Sequence, residues 1–198
     1  MKSVAVGFRA HSGWTALIVL AVTKGVPSLL ARQRLHLVET FTYEFRQPFH
    51  TGEKMSLDEA RAFISRAQKE ARRLALHAIR KLQAELEEQD YSLDYCGLLR
   101  SSGRPLPELS KILASHSLIH SADGELFRES LLDASARCGL TVVTIREREL
   151  LDSASRILRI KPNDLMRCIA DLGRPLGAPW SQDEKLSALV AWLALQSK

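Results

Sequence analysis

Two pairs of residues at helical spacing are the clearest candidates for chemistry in this chain. His116 and His120 are four positions apart, which would place both imidazoles on one face of a helix, a spacing used in metal sites. Glu125 and Glu129 have the same spacing. No third ligand follows at a fixed distance, so His116 also fits a partly buried position and His120 a helix end. The glutamates also fit a solvated or capping role, and the spacing alone favours these structural roles over catalysis.

Asp183 and Glu184 are the acidic residues at the start of the last predicted helix. Ser181 and Glu184 form a capping box, and acids in a first turn favour the positive end of the helix dipole. Carboxylates also bind hard cations such as Mg²⁺ and Mn²⁺. Both roles remain open, and Asp183 and Glu184 are the predicted metal ligands.

A short loop after a buried strand carries the predicted phosphate-binding residues. Ligands of open α/β sheets collect outside the carboxyl ends of the parallel strands. The fourth predicted strand is followed there by a polar, basic loop that ends at Pro105. We expect this loop to contact phosphate through Arg100, Ser101, Ser102 and Arg104.

The segment His11-Ser12-Gly13-Trp14 separates the first two predicted strands. A glycine-containing turn of this length is typical of a β-hairpin. Its histidine, serine and tryptophan therefore fit either ordinary turn chemistry, which the pattern favours, or a contribution to a site.

The elements that must position these residues follow a clear order along the chain. Strand patterns are predicted at residues 2–9, 14–22, 29–38, 93–100 and 140–145. A capping box at Ser56 and Glu59 begins a long amphipathic helix of about nine turns. The segment 41–54 is predicted to be an irregular connection that either holds a ligand or crosses the sheet edge. Further helices are predicted from residue 107, over 125–137 after a break at Asp123-Gly124, over 147–158, after Pro162 and over 182–195.

Composition and charge restrict the class of protein. A chain of 198 residues with 45% hydrophobic and 26% charged residues is typical of one globular domain. No apolar run reaches the roughly 20 residues needed to cross a bilayer, so we expect no membrane partner and a cytoplasmic location. The three cysteines are scattered among apolar neighbours and predict neither disulfides nor a metal knuckle.

The positive charge permits an anionic partner without requiring one. The net charge is +5, and the densest basic run lies on the long helix, where acidic residues interrupt it. This arrangement favours a solvated face over a phosphate-binding one. Aromatic residues make up only 6% of the chain, which argues against a platform for single-stranded nucleic acid.

The order of three strands, a long helix, and then alternating strands and helices resembles the ribonuclease H-like superfamily. This superfamily includes Holliday-junction resolvases of the RuvC type and, more distantly, actin-like ATPases. The resemblance covers nearly the whole chain in topology. It rests on residues 4–14 as the first hairpin, 136–145 as a helix-to-strand step and 183–191 as the final helix.

The resemblance also implies where a nuclease centre would lie. Nucleases of this superfamily place acidic residues on the first strand, near the end of the fourth strand and on a late helix, where they bind two metal ions. Here the first strand offers Gly7-Phe8-Arg9 and the fourth ends in Leu99-Arg100-Ser101. An arginine cannot bind a cation. The usual two-metal site is therefore expected to be absent, although the first hairpin, with His11, would adjoin the site.

We therefore expect a single α/β domain over residues 1–198, with a ribonuclease H-like, mixed five-stranded sheet flanked by helices. Three strands would form an antiparallel meander, the others would be parallel, and a helical extension would begin near residue 147. The leading hypothesis is a nucleic-acid-associated protein with a degenerate or unconventional nuclease centre. If it is an enzyme, it would be a metal-dependent phosphodiesterase using Mg²⁺ or Mn²⁺. The candidate catalytic residues are His11, His116, Glu125 and Asp183.

Two alternatives belong to other functional classes. A non-catalytic scaffold would self-associate or bind another protein through the exposed flank of the long helix or the loop at Trp180. An actin-like nucleotide binder is the weaker alternative, because the chain lacks a glycine-rich phosphate loop of the P-loop kind.

Overall fold

The chain folds around one mixed sheet of five strands, described by a computed structural model for residues 1–101 and 105–197. The strands are β1 Lys2–His11, β2 Trp14–Thr23, β3 Val26–His36, β4 Tyr91–Arg100 and β5 Thr141–Arg146. Their order across the sheet is β3-β2-β1-β4-β5. The first three strands form an antiparallel meander, whereas β4 and β5 run parallel to β1. The predicted mixed sheet is confirmed.

Helices cover both faces of this sheet. They are α1 Tyr43–Arg46, α2 Pro48–Gly52, α3 Leu57–Glu87, α4 Leu109–Leu113, α5 His116–Arg137, α6 Leu150–Leu158, α7 Pro162–Leu172 and α8 Gln182–Ala194. No helix of the described residues is long and apolar enough to span a bilayer.

Alternation along β1 divides the core into two layers, because successive side chains of a strand point to opposite faces. Val6 and Phe8 pack with residues of α3 and α5, and both are fully buried. Ala5 packs on the other face with Ile18 and with Trp192 of α8. The sheet is therefore enclosed between an α3–α5 layer and an α8 layer.

Two glycines bring the backbone of α8 directly onto the sheet. Gly7 of β1 and Gly97 of β4 are cross-strand neighbours, and both are buried. A Cβ at Gly7 would overlap the carbonyl oxygen of Ser187, and a Cβ at Gly97 would overlap that of Val190. Because the obstacles are backbone atoms, α8 would have to move to admit any side chain at either position.

The long helix α3 forms as predicted. Its N-terminus carries the capping box, in which the Ser56 side chain accepts from the Glu59 N–H while Glu59 accepts from the Ser56 N–H. At 31 residues it is about 46 Å long. Buried residues such as Ala71, Ala75 and Ile79 recur at the three-four spacing that the sequence indicated.

The predicted helix break at Asp123-Gly124 is wrong, since α5 is continuous from His116 to Arg137. The actual break lies between α4 and α5, where Ala114 ends the first helix. An aspartate side chain inside a helix can disturb it by hydrogen-bonding to nearby backbone groups. The Asp123 carboxylate instead accepts hydrogen bonds from the Phe49 N–H and from His50, so the helix continues through it. Gly124 leaves space for the guanidinium of Arg128, which would lie 3.0 Å from a Cβ there.

The segment 41–54, predicted to be irregular, forms the short helices α1 and α2. Pro48 occupies the first turn of α2, where its missing N–H costs nothing. The chain thereby places His50 against α5.

Parallel strands β1, β4 and β5 all finish at the same end of the sheet, at His11, Arg100 and Arg146. We call this end the carboxyl edge. Helix α8 begins beside it, because Asp183 pairs there with Arg9.

Candidate functional site

The first group of polar residues at the carboxyl edge is built around Arg9. Its guanidinium donates two hydrogen bonds to Glu147, at 3.0 and 2.9 Å, and another to Asp183. Nε2 of His11 lies 3.1 Å from the same Asp183 oxygen. Burial acts to lower the pKa of Arg9, but the two carboxylates outweigh it and raise the pKa. Arg9 therefore stays charged and neutralises the acids around it.

The second group joins the end of β4 to α5. The Arg100 guanidinium donates to Glu125 at 3.2 Å and to Glu129 at 3.1 Å. Arg128 donates to Glu125 at 2.8 Å and to the Ser101 hydroxyl at 3.1 Å. Burial acts to raise the pKa of Glu125, but the hydrogen bonds and charges of Arg128 and Arg100 lower it overall. Two arginines therefore neutralise the two glutamates.

These groups do not fit the two hard cations that the superfamily's nucleases use. The first strand offers Gly7-Phe8-Arg9 and no acid there, and α8 occupies the space that a side chain at Gly7 would need. The fourth strand ends in Arg100, which has no ligand atom for a cation. Asp183 remains, but Arg9 already holds it in an ion pair. A divalent cation would have to displace that arginine without a second carboxylate from the strands.

The remaining predicted metal ligand, Glu184, lies in a different set of contacts. It completes the capping box of α8 by accepting from the Ser181 N–H, and it pairs with Arg32 of β3. Arg32 also donates to the carbonyl oxygen of Pro179 at 2.5 Å. Asp183 and Glu184 are adjacent in sequence, but Asp183 pairs with Arg9 and Glu184 with Arg32. Their two carboxylates are therefore not arranged to bind one cation together.

A row of aromatic and basic side chains extends from the carboxyl edge. The His11 ring stacks on Trp14 at 4.4 Å, and the Arg34 guanidinium lies 3.8 Å from the Trp14 ring centre. Arg34 also approaches Phe41 at 5.9 Å, and Arg46 lies 4.4 Å from that ring. We call His11, Trp14, Arg34, Phe41 and Arg46 the aromatic–arginine ladder. Within residues 1–101 and 105–197, neither of its arginines forms a salt bridge.

The register of the meander places three members of the ladder together. His11 pairs directly with Trp14, which in turn pairs with His36 of β3. Arg34 lies two residues from His36 and therefore faces the same side of the sheet as Trp14. A cavity of about 380 Å³ adjoins the ladder, and its lining includes Trp14, Arg34 and Asp183.

A second cavity, of about 540 Å³, lies at the other part of the carboxyl edge. Arg100 and Ser101 line it together with Arg148 and Gln182. Nε of Arg100 is buried and has no hydrogen-bond partner among the described residues, whereas its Nη2 donates to both Glu125 and Glu129. Of the predicted phosphate-binding residues, Ser102 and Arg104 lie outside the described residues.

Three histidines form a separate cluster between α2 and α5. His50, His116 and His120 each offer a ring nitrogen, and these nitrogens all lie within 4.8 Å of one another. Asp123 contacts His50 from behind, with Oδ2 at 2.5 Å from Nδ1. We call these three histidines the histidine cluster.

The structure thus distributes the four predicted catalytic residues over three places. His11 and Asp183 meet at the first group, Glu125 lies in the second, and His116 belongs to the histidine cluster. Sequence reasoning missed His50, whose segment had no regular period. It also missed the pairing of Arg34 with Trp14, which the β2–β3 register could have indicated.

Comparison of the sequence with known proteins gives no match to a family model and no match to a curated protein. The structure, in contrast, is similar to RuvC of Thermus thermophilus. In complex with Holliday junction substrate, that protein matches with a TM-score of 0.55 and 10% identity over 98% of this chain and 93% of its own. A second structure of T. thermophilus RuvC gives 0.54 and 11% over the same shares of the two chains.

Proposed function

We propose that this chain, which has the ribonuclease H-like fold, binds nucleic acid along the carboxyl edge without cutting it. The aromatic–arginine ladder is the observation that carries the proposal. It combines two positively charged guanidiniums with stacked rings on one accessible surface, and Phe41 is 36% exposed.

The ladder suits a nucleic acid for two physical reasons. Arg34 and Arg46 have no carboxylate partner among the described residues, so their charges are available to phosphates. Their guanidinium planes also offer flat surfaces on which unpaired bases can stack. Branched or distorted duplexes expose both phosphates and unstacked bases, and the ladder is compact enough to contact both at one point.

The likeness to RuvC supports a branched duplex as the first substrate to test. One of the similar RuvC structures contains a Holliday junction substrate. The orphaned Nε of Arg100 and the Ser101 hydroxyl add a second place where phosphate could bind at the same edge. Arg100, Ser101, Ser102 and Arg104 remain the proposed phosphate contacts of that part.

The absence of cutting follows from how the acids are paired. Catalysis by two metal ions needs carboxylates free to bind them. Here Asp183 is held by Arg9 and Glu125 by Arg100 and Arg128. With its acids paired in this way, the protein would bind nucleic acid but would not hydrolyse it.

The test is a fluorescence anisotropy titration with labelled four-way junction, linear duplex and single strand of matched sequence. We expect salt-sensitive binding, tightest for the junction. Arg34→Ala combined with Arg46→Ala should weaken it by about tenfold or more and reduce the salt slope by about two. Trp14→Ala should also weaken binding, because it removes the ring that supports the Arg34 guanidinium at 3.8 Å, with folding checked by circular dichroism.

Arg80→Ala is the matched control, because it removes one exposed arginine from the distant part of α3. A loss in Arg80→Ala as large as that in the combined Arg34→Ala and Arg46→Ala variant would contradict a role for the ladder. Cutting in Mn²⁺ that disappears in Asp183→Ala would replace the binder with an unconventional nuclease. Failure to bind any of the three nucleic acids would favour the scaffold, unless ATP with Mg²⁺ raised the melting temperature and so indicated a nucleotide binder.

A further inference from the structure

We propose that His50, His116 and His120 together bind one transition-metal ion of the Zn²⁺ class, with Asp123 as the residue that positions His50. This site is separate from the acids of the carboxyl edge and does not depend on nucleic-acid binding.

The positions of the nitrogens are close to those of a metal site. Nε2 of His116 and Nε2 of His120 are 3.1 Å apart. Two nitrogens bound tetrahedrally to zinc at 2.0–2.1 Å would be about 3.3 Å apart. The third nitrogen, from His50, lies within 4.8 Å of both. Small rotations of the side chains would therefore bring all three to one ion.

The orientation of the rings agrees with convergence on a common point. His50 meets His116 edge to face at 5.3 Å and His120 at 4.4 Å between ring centres. His116 and His120 meet at 4.5 Å with their planes 78° apart. Steeply inclined rings of this kind can each direct one nitrogen to a common ion, and the three nitrogens do lie within 4.8 Å of one another.

Asp123 supplies the second contact that a metal-binding histidine usually has. Its Oδ2 lies 2.5 Å from Nδ1 of His50, which fixes the ring and leaves Nε2 for the ion. Oδ1 accepts a hydrogen bond of 2.8 Å from the Phe49 N–H, so the carboxylate itself is held. Asp123 is 1% exposed and His50 7% exposed. A buried carboxylate behind an imidazole also contributes negative charge that favours a cation.

The three proposed ligands come from two helices, α2 and α5, that pack against each other. His116 and His120 lie one turn apart on α5, and His50 lies on α2, which packs against α5. His116 and His120 are exposed, so an ion could enter from solvent and retain a water molecule as its fourth ligand.

The ligand type decides the class of metal. Three neutral imidazoles suit Zn²⁺, Co²⁺, Ni²⁺ or Cu²⁺, whereas Mg²⁺ and Mn²⁺ prefer carboxylates and water. The histidine cluster would therefore select a different ion from the one used by nucleases of this fold. About five residues of helix, or 7.5 Å, separate His120 from Glu125 of the carboxyl edge.

The experiment is isothermal titration calorimetry of the full, untagged chain, stripped with a chelator, against ZnCl₂ and separately against MgCl₂. We expect one equivalent of Zn²⁺ to bind and no Mg²⁺ to bind at the same concentrations. Co²⁺ should give the intense visible absorption of a tetrahedral site. His116→Ala and His120→Ala should abolish stoichiometric Zn²⁺ binding.

His77→Ala is the matched control, since His77 is an exposed histidine on α3 outside the cluster. It should bind Zn²⁺ as the wild type does. Asp123→Asn should weaken binding by about 10–100-fold, an effect that a purely structural role would not produce in protein that is still folded. Wild-type protein that binds no Zn²⁺, or a folded His120→Ala variant that binds it unchanged, would overturn the proposal.

Discussion

The carboxyl edge and the histidine cluster are both groups of potential metal ligands, but their neighbours differ. At the carboxyl edge every acid of the two groups has an arginine or histidine beside it, as Asp183 has Arg9. In the histidine cluster, the buried carboxylate of Asp123 lies behind a ligand and is not itself the ligand. Whether a group of carboxylates can bind a metal ion therefore depends less on how many there are than on whether arginines already neutralise them.

This difference also means that the two proposed sites would bind ligands of opposite charge. Arginine–carboxylate pairs leave the carboxyl edge close to neutral, so phosphates meet no repulsive acidic cluster there. In the histidine cluster a carboxylate holds only His50, and each of the three imidazoles offers one nitrogen to a cation. The carboxyl edge is suited to an anion and the histidine cluster to a cation, although only about 7.5 Å of α5 separates Glu125 from His120.

The largest loss of stability should come from an acid introduced on β1 beneath α8, four residues before the carboxyl edge. Gly7→Asp would force a side chain into the backbone of α8 at Ser187 and bury a charge without a partner. We expect a loss of more than about 4 kcal/mol in the free energy of unfolding, measured by urea denaturation.

Gly124→Ala is the control for that experiment. Its Cβ would lie 3.0 Å from the far end of the Arg128 side chain, which can shift by a few tenths of an ångström more easily than backbone can, and alanine is the better helix former. The free energy of unfolding should change by no more than about 1 kcal/mol. A similar small change for Gly7→Asp would mean that α8 does not lie against the sheet as described.

Removing the carboxylate behind the histidine cluster should have the next largest effect. Asp123→Ala leaves both the His50 ring and the Phe49 N–H without their partner inside the protein. We expect a loss of about 3 kcal/mol, read from urea denaturation in the presence of a chelator. An unchanged stability would show that His50 and Asp123 do not form the buried contact.

A third change would make the carboxyl edge behave more like an acidic metal site. Arg9→Ala combined with Arg100→Ala would free Asp183, Glu147 and Glu129 from their guanidiniums and leave Glu125 paired with Arg128 alone. We expect weak Mn²⁺ binding to appear and nucleic-acid affinity to fall. Water proton relaxation detects the bound Mn²⁺, and wild-type protein serves as the control. Binding of Mn²⁺ by the wild type with equal affinity would show that the arginines do not block the site.

The smallest expected effect concerns acid stability. The folded-state pKa of Glu125 is lowered, so its ionised form stabilises the fold at neutral pH and this contribution is lost as pH falls below about 4. Glu125→Gln should therefore reduce stability by no more than about 1 kcal/mol at pH 7 and by less at pH 3. Urea denaturation of the wild type and the variant at pH 7 and at pH 3 measures this loss of stability. A loss that is larger at pH 3 than at pH 7 would contradict a lowered pKa of Glu125.

Much of the fold could be predicted from the sequence, because local patterns determine it. The capping boxes at Ser56 and Ser181 and the alternation in the meander are encoded by neighbouring residues. The break at Asp123-Gly124 was predicted wrongly, since the partners of Asp123 lie 73 and 74 positions away and no local pattern reveals them.

The site was less predictable for the same reason. The spacing of His116 and His120 was visible, but the third member of the cluster comes from a segment without a regular period. The arginine partners of the acids are equally remote in sequence, with Arg9 and Asp183 174 positions apart. Sequence spacing identifies pairs on one helix, whereas a site is formed by elements that meet only after folding.

The contact of α8 with Gly7 and Gly97 has a consequence for which substitutions this part of the molecule tolerates. Where helix backbone lies directly on strand backbone, no side chain fits at either strand position unless the helix moves. A single substitution at Gly7 or Gly97 would therefore disturb the whole α8 layer. Changes in what the protein binds are expected at its loops and helix ends, where side chains can be exchanged without moving the helix.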